Sequence, residues 1–153
     1  TDLHEVARLA VADVLPHAQA RGIDLGLDEA STHQALRVRG DTEALRLLLR
    51  NLLDNAVKYT PAPGRVDVSL TREADQAVLR VDDSGPGIPE AERERVFDRF
   101  IRGELAGAAS RVTGSGLGLA IVRAIADRHG ATLTLGSSPA LGGLRVECRL
   151  PLL

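Results

Sequence analysis

Hydrophobic and polar positions along this 153-residue chain follow two different periods, and the switches between them mark its elements. From Leu3 to about Ala20, the apolar residues Leu3, Val6, Ala7, Ala10 and Val14 recur on one face of a predicted helix. Gly22 ends that region, and Ile23-Asp-Leu25-Gly-Leu27 alternates as a strand does. A short strand is predicted over Ala35 to Arg39. Gly40-Asp41 then caps a helix predicted from about Thr42 to Tyr59, which Pro61-Ala-Pro63-Gly64 stops and turns. Val66, Val68 and Leu70 alternate with polar residues, as do Ala77, Leu79 and Val81 with polar or smaller ones. Ala131-Thr-Leu133-Thr-Leu135 and Leu144-Arg-Val146-Glu-Cys148-Arg-Leu150 repeat the pattern, which is that of half-buried strands with one apolar face. A helix from about Ser115 to His129, ending at Gly130, lies between the second and third of these four strands.

One-faced helices and one-faced strands imply a two-layer α/β sandwich of three long helices and five or six strands, without helices on both sides of the sheet. The segment from Ile101 to Thr113 stands apart. Its small residues lack strand alternation and have the composition of a mobile loop.

Composition narrows the function classes. The chain is 44% hydrophobic with a net charge of −2, enough to bury a core and too neutral for an electrostatic nucleic-acid reader or a polybasic membrane binder. Aromatics make up only 2%, which disfavours a base-stacking platform. A single cysteine, Cys148, excludes an internal disulfide framework and a multi-cysteine zinc site, and its strand position makes it a small core residue. No apolar run approaches the roughly 20 residues needed to span a membrane, and no signal peptide opens the sequence. The chain is therefore expected to be a soluble domain, a fragment of a longer protein.

The second predicted helix carries chemistry its packing does not require. Leu45, Leu48, Leu49, Leu52 and Ala56 form the core face, while Arg50 and Asp54 are spaced for a surface ion pair. Asn51, Asn55 and Lys58 form a third, narrow stripe at i, i+4, i+7, although Asn is a poor helix-interior residue. Lys58 is the only lysine among 19 basic residues, and a compact ammonium differs in kind from a planar guanidinium. Two amides and an ammonium suit a ligand with phosphate oxygens and a hard cation. They equally suit a solvated polar edge, and the stripe alone does not decide between the two.

Two glycine-rich motifs follow. Asp82-Asp83-Ser-Gly85-Pro-Gly87-Ile88-Pro89 leaves a strand, so an aspartate stands at a strand end where glycines let the backbone approach a ligand. The carboxylate suits an exocyclic amine such as adenine N6, although the same residues also make an ordinary tight turn. Gly114-Ser115-Gly116-Leu117-Gly118-Leu119 opens a helix whose first N–H groups suit a phosphate. It is not a dinucleotide fingerprint, because a third glycine at that spacing would fall on Leu119, and a loop precedes it rather than a strand. No Walker A loop exists, because the sole lysine follows Val57.

The order of these motifs is the informative part. Asn51…Asn55…Lys58-Tyr59, Asp83-Ser-Gly85-Pro-Gly87, Phe97-Asp-Arg99-Phe100 and Gly114-Ser-Gly116-Leu-Gly118 together resemble the catalytic ATP-binding domain of bacterial sensor histidine kinases, across nearly the whole chain. The resemblance implies an α+β fold with a mixed, mostly antiparallel sheet of about five strands packed on three helices. It implies ATP and Mg²⁺ as cofactors. Asn55 would coordinate the metal. Asn51 and Lys58 would contact phosphates, directly or through the metal's waters, and these three residues form the catalytic set. Tyr59 would line the pocket, Asp83 would accept from adenine N6, Gly85 and Gly87 would let the chain pass beneath the base, and Ile88 would also bind the nucleotide. Gly114, Gly116 and Gly118 would bring backbone N–H groups to the phosphates, with Ser115, Leu117 and Leu119 of the same motif also binding the nucleotide. Residues 101–113 would form an ATP lid anchored by Phe97 and Phe100, with Arg99 and Arg102 as phosphate contacts.

The same fold serves DNA gyrase, the ninety-kilodalton heat-shock chaperone and mismatch-repair ATPases, which resemble one another in placing a Glu four residues before the metal-binding Asn. Here that position is Asn51, which favours transfer to a protein group over hydrolysis. Family acceptors lie in a His-Glu-x-x-x-Pro context on a helical hairpin. His4-Glu5 lacks the proline, so His4 is expected to be a surface residue, and His17, His33 and His129 to be surface or helix-end residues. The implied partners are the protein's own histidine-bearing dimerisation domain and a response regulator, with no nucleic acid. The fragment would be monomeric. The whole protein would be a homodimer anchored in the bacterial inner membrane with this domain in the cytoplasm. The alternatives are a stand-alone ATPase or protein-serine kinase of the same fold, such as an anti-sigma-factor kinase, and a non-catalytic nucleotide-binding docking module.

Overall fold

In the computed structural model, residues 1–28, 35–86 and 116–153 are described, with 116–120 followed through the backbone only. Among the described residues there are three helices, α1 (Leu3–Ala20), α2 (Thr42–Tyr59) and α3 (Gly116–Arg128). The five strands are β1 (Ile23–Asp28), β2 (Gly64–Glu73), β3 (Gln76–Asp83), β4 (Thr132–Ser137) and β5 (Leu144–Pro151). They form a single sheet in the order β1-β2-β3-β5-β4, parallel between β1 and β2 and antiparallel elsewhere. The mixed, mostly antiparallel α+β sandwich is therefore the observed architecture.

Helices α1 and α2 each start where the sequence supplies a cap. Asp2 accepts from the His4 N–H at 2.9 Å and opens α1; Asp41 accepts from the Glu43 N–H at 3.0 Å and opens α2. The α1 stripe of Leu3, Val6, Ala7, Ala10 and Val14 is buried, as are Leu45, Leu48, Leu49, Leu52, Leu53, Ala56 and Val57 of α2. They meet the inward sheet residues Val66, Val68, Leu70, Ala77, Leu79, Val81, Cys148 and Leu150 in one core. Burial pushes the Cys148 thiol up to about 12, so it behaves as an apolar residue.

The outer face of the sheet is charged. Arg80 bridges Glu73 at 2.6 Å and Glu147 at 2.9 Å, and Arg149 reaches both of those carboxylates. Val78 lies on this outer face between its cross-strand partners Thr71 and Arg149 and is nonetheless fully buried.

Three local expectations need correction. The Ala35–Arg39 strand reduces to two isolated bridges, Arg37 with Asp2 and Val38 with Leu152. The segment is held between the start of α1 and the end of β5, so it has no neighbour along which to extend a ladder. His4 is buried rather than on the surface, because it sits one residue after Leu3 and three before Ala7, at the edge of the apolar stripe. Asp54 meets His17 of α1 at 3.3 Å rather than Arg50, because α1 lies alongside α2 and brings a closer partner. His17 is otherwise a surface residue and His129 a helix-end residue, as their positions implied, while His33 lies outside the described residues.

Candidate functional site

The polar stripe of α2 sits where helical geometry puts it, at the margin of the buried face. Asn51, Asn55 and Tyr59 are half-buried, and Lys58 is exposed. The Asn51 side chain is already oriented: its Nδ2 donates to the Leu47 carbonyl one turn back, at 2.9 Å. The second amide N–H and the amide oxygen of Asn51 are not used by that bond, and the oxygen can accept a hydrogen bond from a water in a metal's shell. The Lys58 ammonium lies 5.4 Å from the Tyr59 ring centroid, within cation–π range.

The C-terminal end of α2 is secured by a residue that the sequence does not advertise. Arg21, the residue ending α1, donates to the carbonyls of Val57 at 3.3 Å and Lys58 at 2.9 Å. It satisfies two of the helix's unpaired carbonyls and places a cation at the negative end of its dipole. The buried Thr60 hydroxyl donates to Ala56 at 2.7 Å and closes the last turn. The helix that carries Asn51 to Tyr59 thus has a fixed terminus rather than a frayed one.

Asp83, the last residue of β3, is almost fully buried. Its Oδ1 accepts from two backbone N–H groups, Gly85 at 3.0 Å and Leu144 at 3.1 Å. Next to it, Ser84 is tied to β2: its N–H donates to the Arg65 carbonyl at 3.0 Å, and its hydroxyl accepts from the Arg65 N–H at 2.9 Å. Asp82, facing the other side of the sheet, holds Arg145 through bonds of 2.7 and 3.3 Å. The turn after β3 is anchored by both neighbouring strands at once.

Register brings this turn and the amide stripe to the same end of the molecule. A short turn leads from Tyr59 into β2 at Gly64, and Val66 of β2 pairs with Asp83. Helix α2 packs on both β3 and α3. Gly116, Leu117, Gly118 and Leu119 lie in the first turn of α3. Gly87, Ile88, Arg99, Arg102, Gly114 and Ser115, together with Phe97, Phe100 and the segment 101–113 expected to form a lid, lie outside the described residues. Sequence reasoning missed Arg21, the Arg65–Ser84 pair and the Gly143-Leu144 backbone behind Asp83. The only signal for the last of these is a glycine doublet, Gly142-Gly143, which reads as a plain turn.

Comparison with known proteins agrees with this fold. Residues 40–153 match the family described as histidine kinase-, DNA gyrase B-, and HSP90-like ATPase. The chain belongs to that family. It is 37% identical over 139 residues to the sensor protein kinase PmrB of Pseudomonas aeruginosa, covering 91% of this chain and 28% of that protein. It is 47% identical over 116 residues to the signal transduction histidine-protein kinase/phosphatase MprB of a Mycobacterium species, covering 75% and 20%. The crystal structure of the ATP binding domain of PrrB from Mycobacterium tuberculosis is 31% identical with a TM-score of 0.74, covering 100% of this chain and 96% of that one. The chain thus spans about a quarter of the length of the sensor kinases it resembles, and corresponds to their catalytic ATP-binding part.

Proposed function

We infer that this domain binds Mg-ATP and donates the γ-phosphoryl group to a histidine on a separate dimerisation domain of the same protein, as one step in two-component signalling. The observation that carries the reading is the pairing of a buried, doubly anchored Asp83 carboxylate with the Asn51–Asn55–Lys58 stripe at the same end of the fold. A carboxylate held in place by two N–H groups is an acceptor with a fixed plane, which suits the N6 amino group of adenine and disfavours the O6 acceptor of guanine. Lys58 supplies a positive charge for the phosphates. The amide oxygens of Asn51 and Asn55 suit a magnesium ion, which Asn55 would hold directly and Asn51 would meet through a bound water. Such an ion would neutralise charge on the triphosphate.

In the transfer, the bond from the γ-phosphorus to the bridging oxygen breaks and a bond to the acceptor imidazole nitrogen forms. ADP leaves with the electron pair, and the imidazole proton passes to a base on the acceptor side. Hydrolysis is the poorer reaction. A water nucleophile needs a base one helical turn before Asn55, and Asn51 is an amide whose nitrogen already donates to Leu47. In this reading the chain is one monomeric catalytic domain of a longer sensor kinase, and the histidine-bearing hairpin lies elsewhere in that protein. The whole protein is then a homodimer anchored in the inner membrane, with this domain in the cytoplasm and a response regulator as its second partner.

Incubation with radiolabelled ATP, with and without the protein's own histidine-bearing hairpin, tests the reading. Label should appear on the hairpin only, with slow phosphate release by the domain alone. Rapid phosphate release without a hairpin would point to the stand-alone ATPases of the fold. Nucleotide binding with no transfer to the hairpin would point to a docking module.

A further inference from the structure

We propose that Gly143 is a positioning residue for base recognition: it allows the turn before β5 to lie directly against Asp83, so that the Leu144 N–H can fix the carboxylate that selects adenine. The proposal rests on Asp83 being the base acceptor and adds the element that sets its orientation.

The contact is closer than any side chain permits. A Cβ placed on Gly143 would overlap the Asp83 carbonyl oxygen and Oδ1, and would lie 2.8 Å from the Gly85 nitrogen. Two of these are backbone atoms of the anchored turn after β3, so they cannot swing aside as the tip of a flexible side chain could. Gly143 is buried, and its backbone does not lie in the left-handed region. Space alone therefore makes glycine necessary here. Gly142 is the opposite case: it has φ +82°, and nothing lies within 4 Å of a Cβ placed on it. One glycine of the doublet serves the turn and the other serves Asp83.

The turn is built to hold that approach. Ser138 is buried, its hydroxyl accepts from the Leu141 N–H at 3.1 Å, and its N–H donates to the Gly143 carbonyl at 2.8 Å. The Gly142 N–H donates back to the Ser138 carbonyl at 3.0 Å. Leu144 then donates to Asp83 Oδ1 across 61 positions of sequence. Removing the Leu144 N–H bond loosens the hold on this buried carboxylate, and an oxygen moved out of line loses the hydrogen bond to N6–H that favours adenine over guanine.

The experiment measures ATP and GTP affinities by titration calorimetry in excess Mg²⁺, with thermal melting alongside. The proteins are the 153-residue chain, Gly143→Ala, Gly142→Asn and Asp83→Asn. Asn tolerates a left-handed φ, so Gly142→Asn perturbs the same turn without approaching Asp83. Gly143→Ala should reduce the ATP-to-GTP affinity ratio by about tenfold or more, the loss of one charge-assisted hydrogen bond, with GTP affinity within about twofold of wild type. Gly142→Asn should keep the wild-type ratio. A folded Gly143→Ala with an unchanged ratio, or one that weakens both nucleotides equally, overturns the proposal. If Gly143→Ala does not fold, Leu144 is replaced by its α-hydroxy acid, which deletes the N–H and keeps the side chain. A reduced ratio then supports the proposal and an unchanged ratio overturns it. A wild-type chain without ATP preference, or one whose preference survives Asp83→Asn, overturns the Asp83 reading itself, an outcome distinct from a preference that depends on Asp83 and ignores Gly143.

Discussion

Asp83→Asn separates the structural and recognition roles of one buried side chain. In the wild type, Oδ1 accepts from the Gly85 and Leu144 N–H groups at 3.0 and 3.1 Å. Two donors can be met only by the carbonyl oxygen of an asparagine, so its amide orientation is forced and its NH₂ takes the place of Oδ2. Both bonds survive, but they become neutral rather than charge-assisted, a loss of about 1–3 kcal/mol in total. A domain stable by about 5–15 kcal/mol remains folded after that change. Recognition fares worse. An NH₂ group now faces the N6 amino group of adenine, so an acceptor–donor contact becomes donor against donor. Losing a hydrogen bond to a charged group costs about 1.5–3 kcal/mol, or roughly 10- to 100-fold in ATP affinity. GTP, whose O6 accepts, should bind as well as before or better. Urea denaturation reports the first effect and calorimetric titration with ATP and GTP the second. A variant that loses stability as expected yet binds ATP with wild-type affinity would refute the base-acceptor role, while leaving the structural one intact.

Other expectations follow from the same geometry. Asn55→Ala should keep the fold, because Asn55 is only half-buried, and should abolish the Mg²⁺ dependence of ATP affinity in a titration at varied metal concentration. Arg21→Ala should lower stability by about 0.5–1.5 kcal/mol through the unmet Val57 and Lys58 carbonyls, and should weaken ATP more than adenosine, since the end of α2 bearing Lys58 loosens. Burial pushes the Glu147 carboxyl up, but hydrogen bonds and charge from Arg80 and Arg149 outweigh it and hold the group below the ordinary carboxylate range. Its contribution is therefore present above the unfolded value near 4.3 and is lost as pH falls through the lower folded value. Glu147→Gln should flatten the decline in stability between about pH 5 and 3, as read by denaturant midpoints across that range.

Local physics made much of this protein legible from its sequence. A helix or strand is recorded in the spacing of its apolar residues, because each must bury one face. The Asp41 cap, the α2 core stripe and the alternation of β2, β3 and β5 all follow from neighbours a few residues apart. The amide stripe and the aspartate before a glycine turn were legible for the same reason, as residue types out of place in their own elements. Contacts across the sheet were not. The sequence puts His4 at the edge of the α1 stripe but does not show that this margin would be covered, nor that Asp54 would find His17 on another helix. Arg21 reads as a routine basic residue until it is seen 37 positions away at the end of α2. Gly143 reads as half of a turn until its backbone lies against Asp83. Sequence alone determined which residues have the chemistry for a nucleotide. Strand register, which pairs β3 with both β2 and β5, decided which of them are held rigid, because a hydrogen bond between distant segments exists only once the chain has closed on itself.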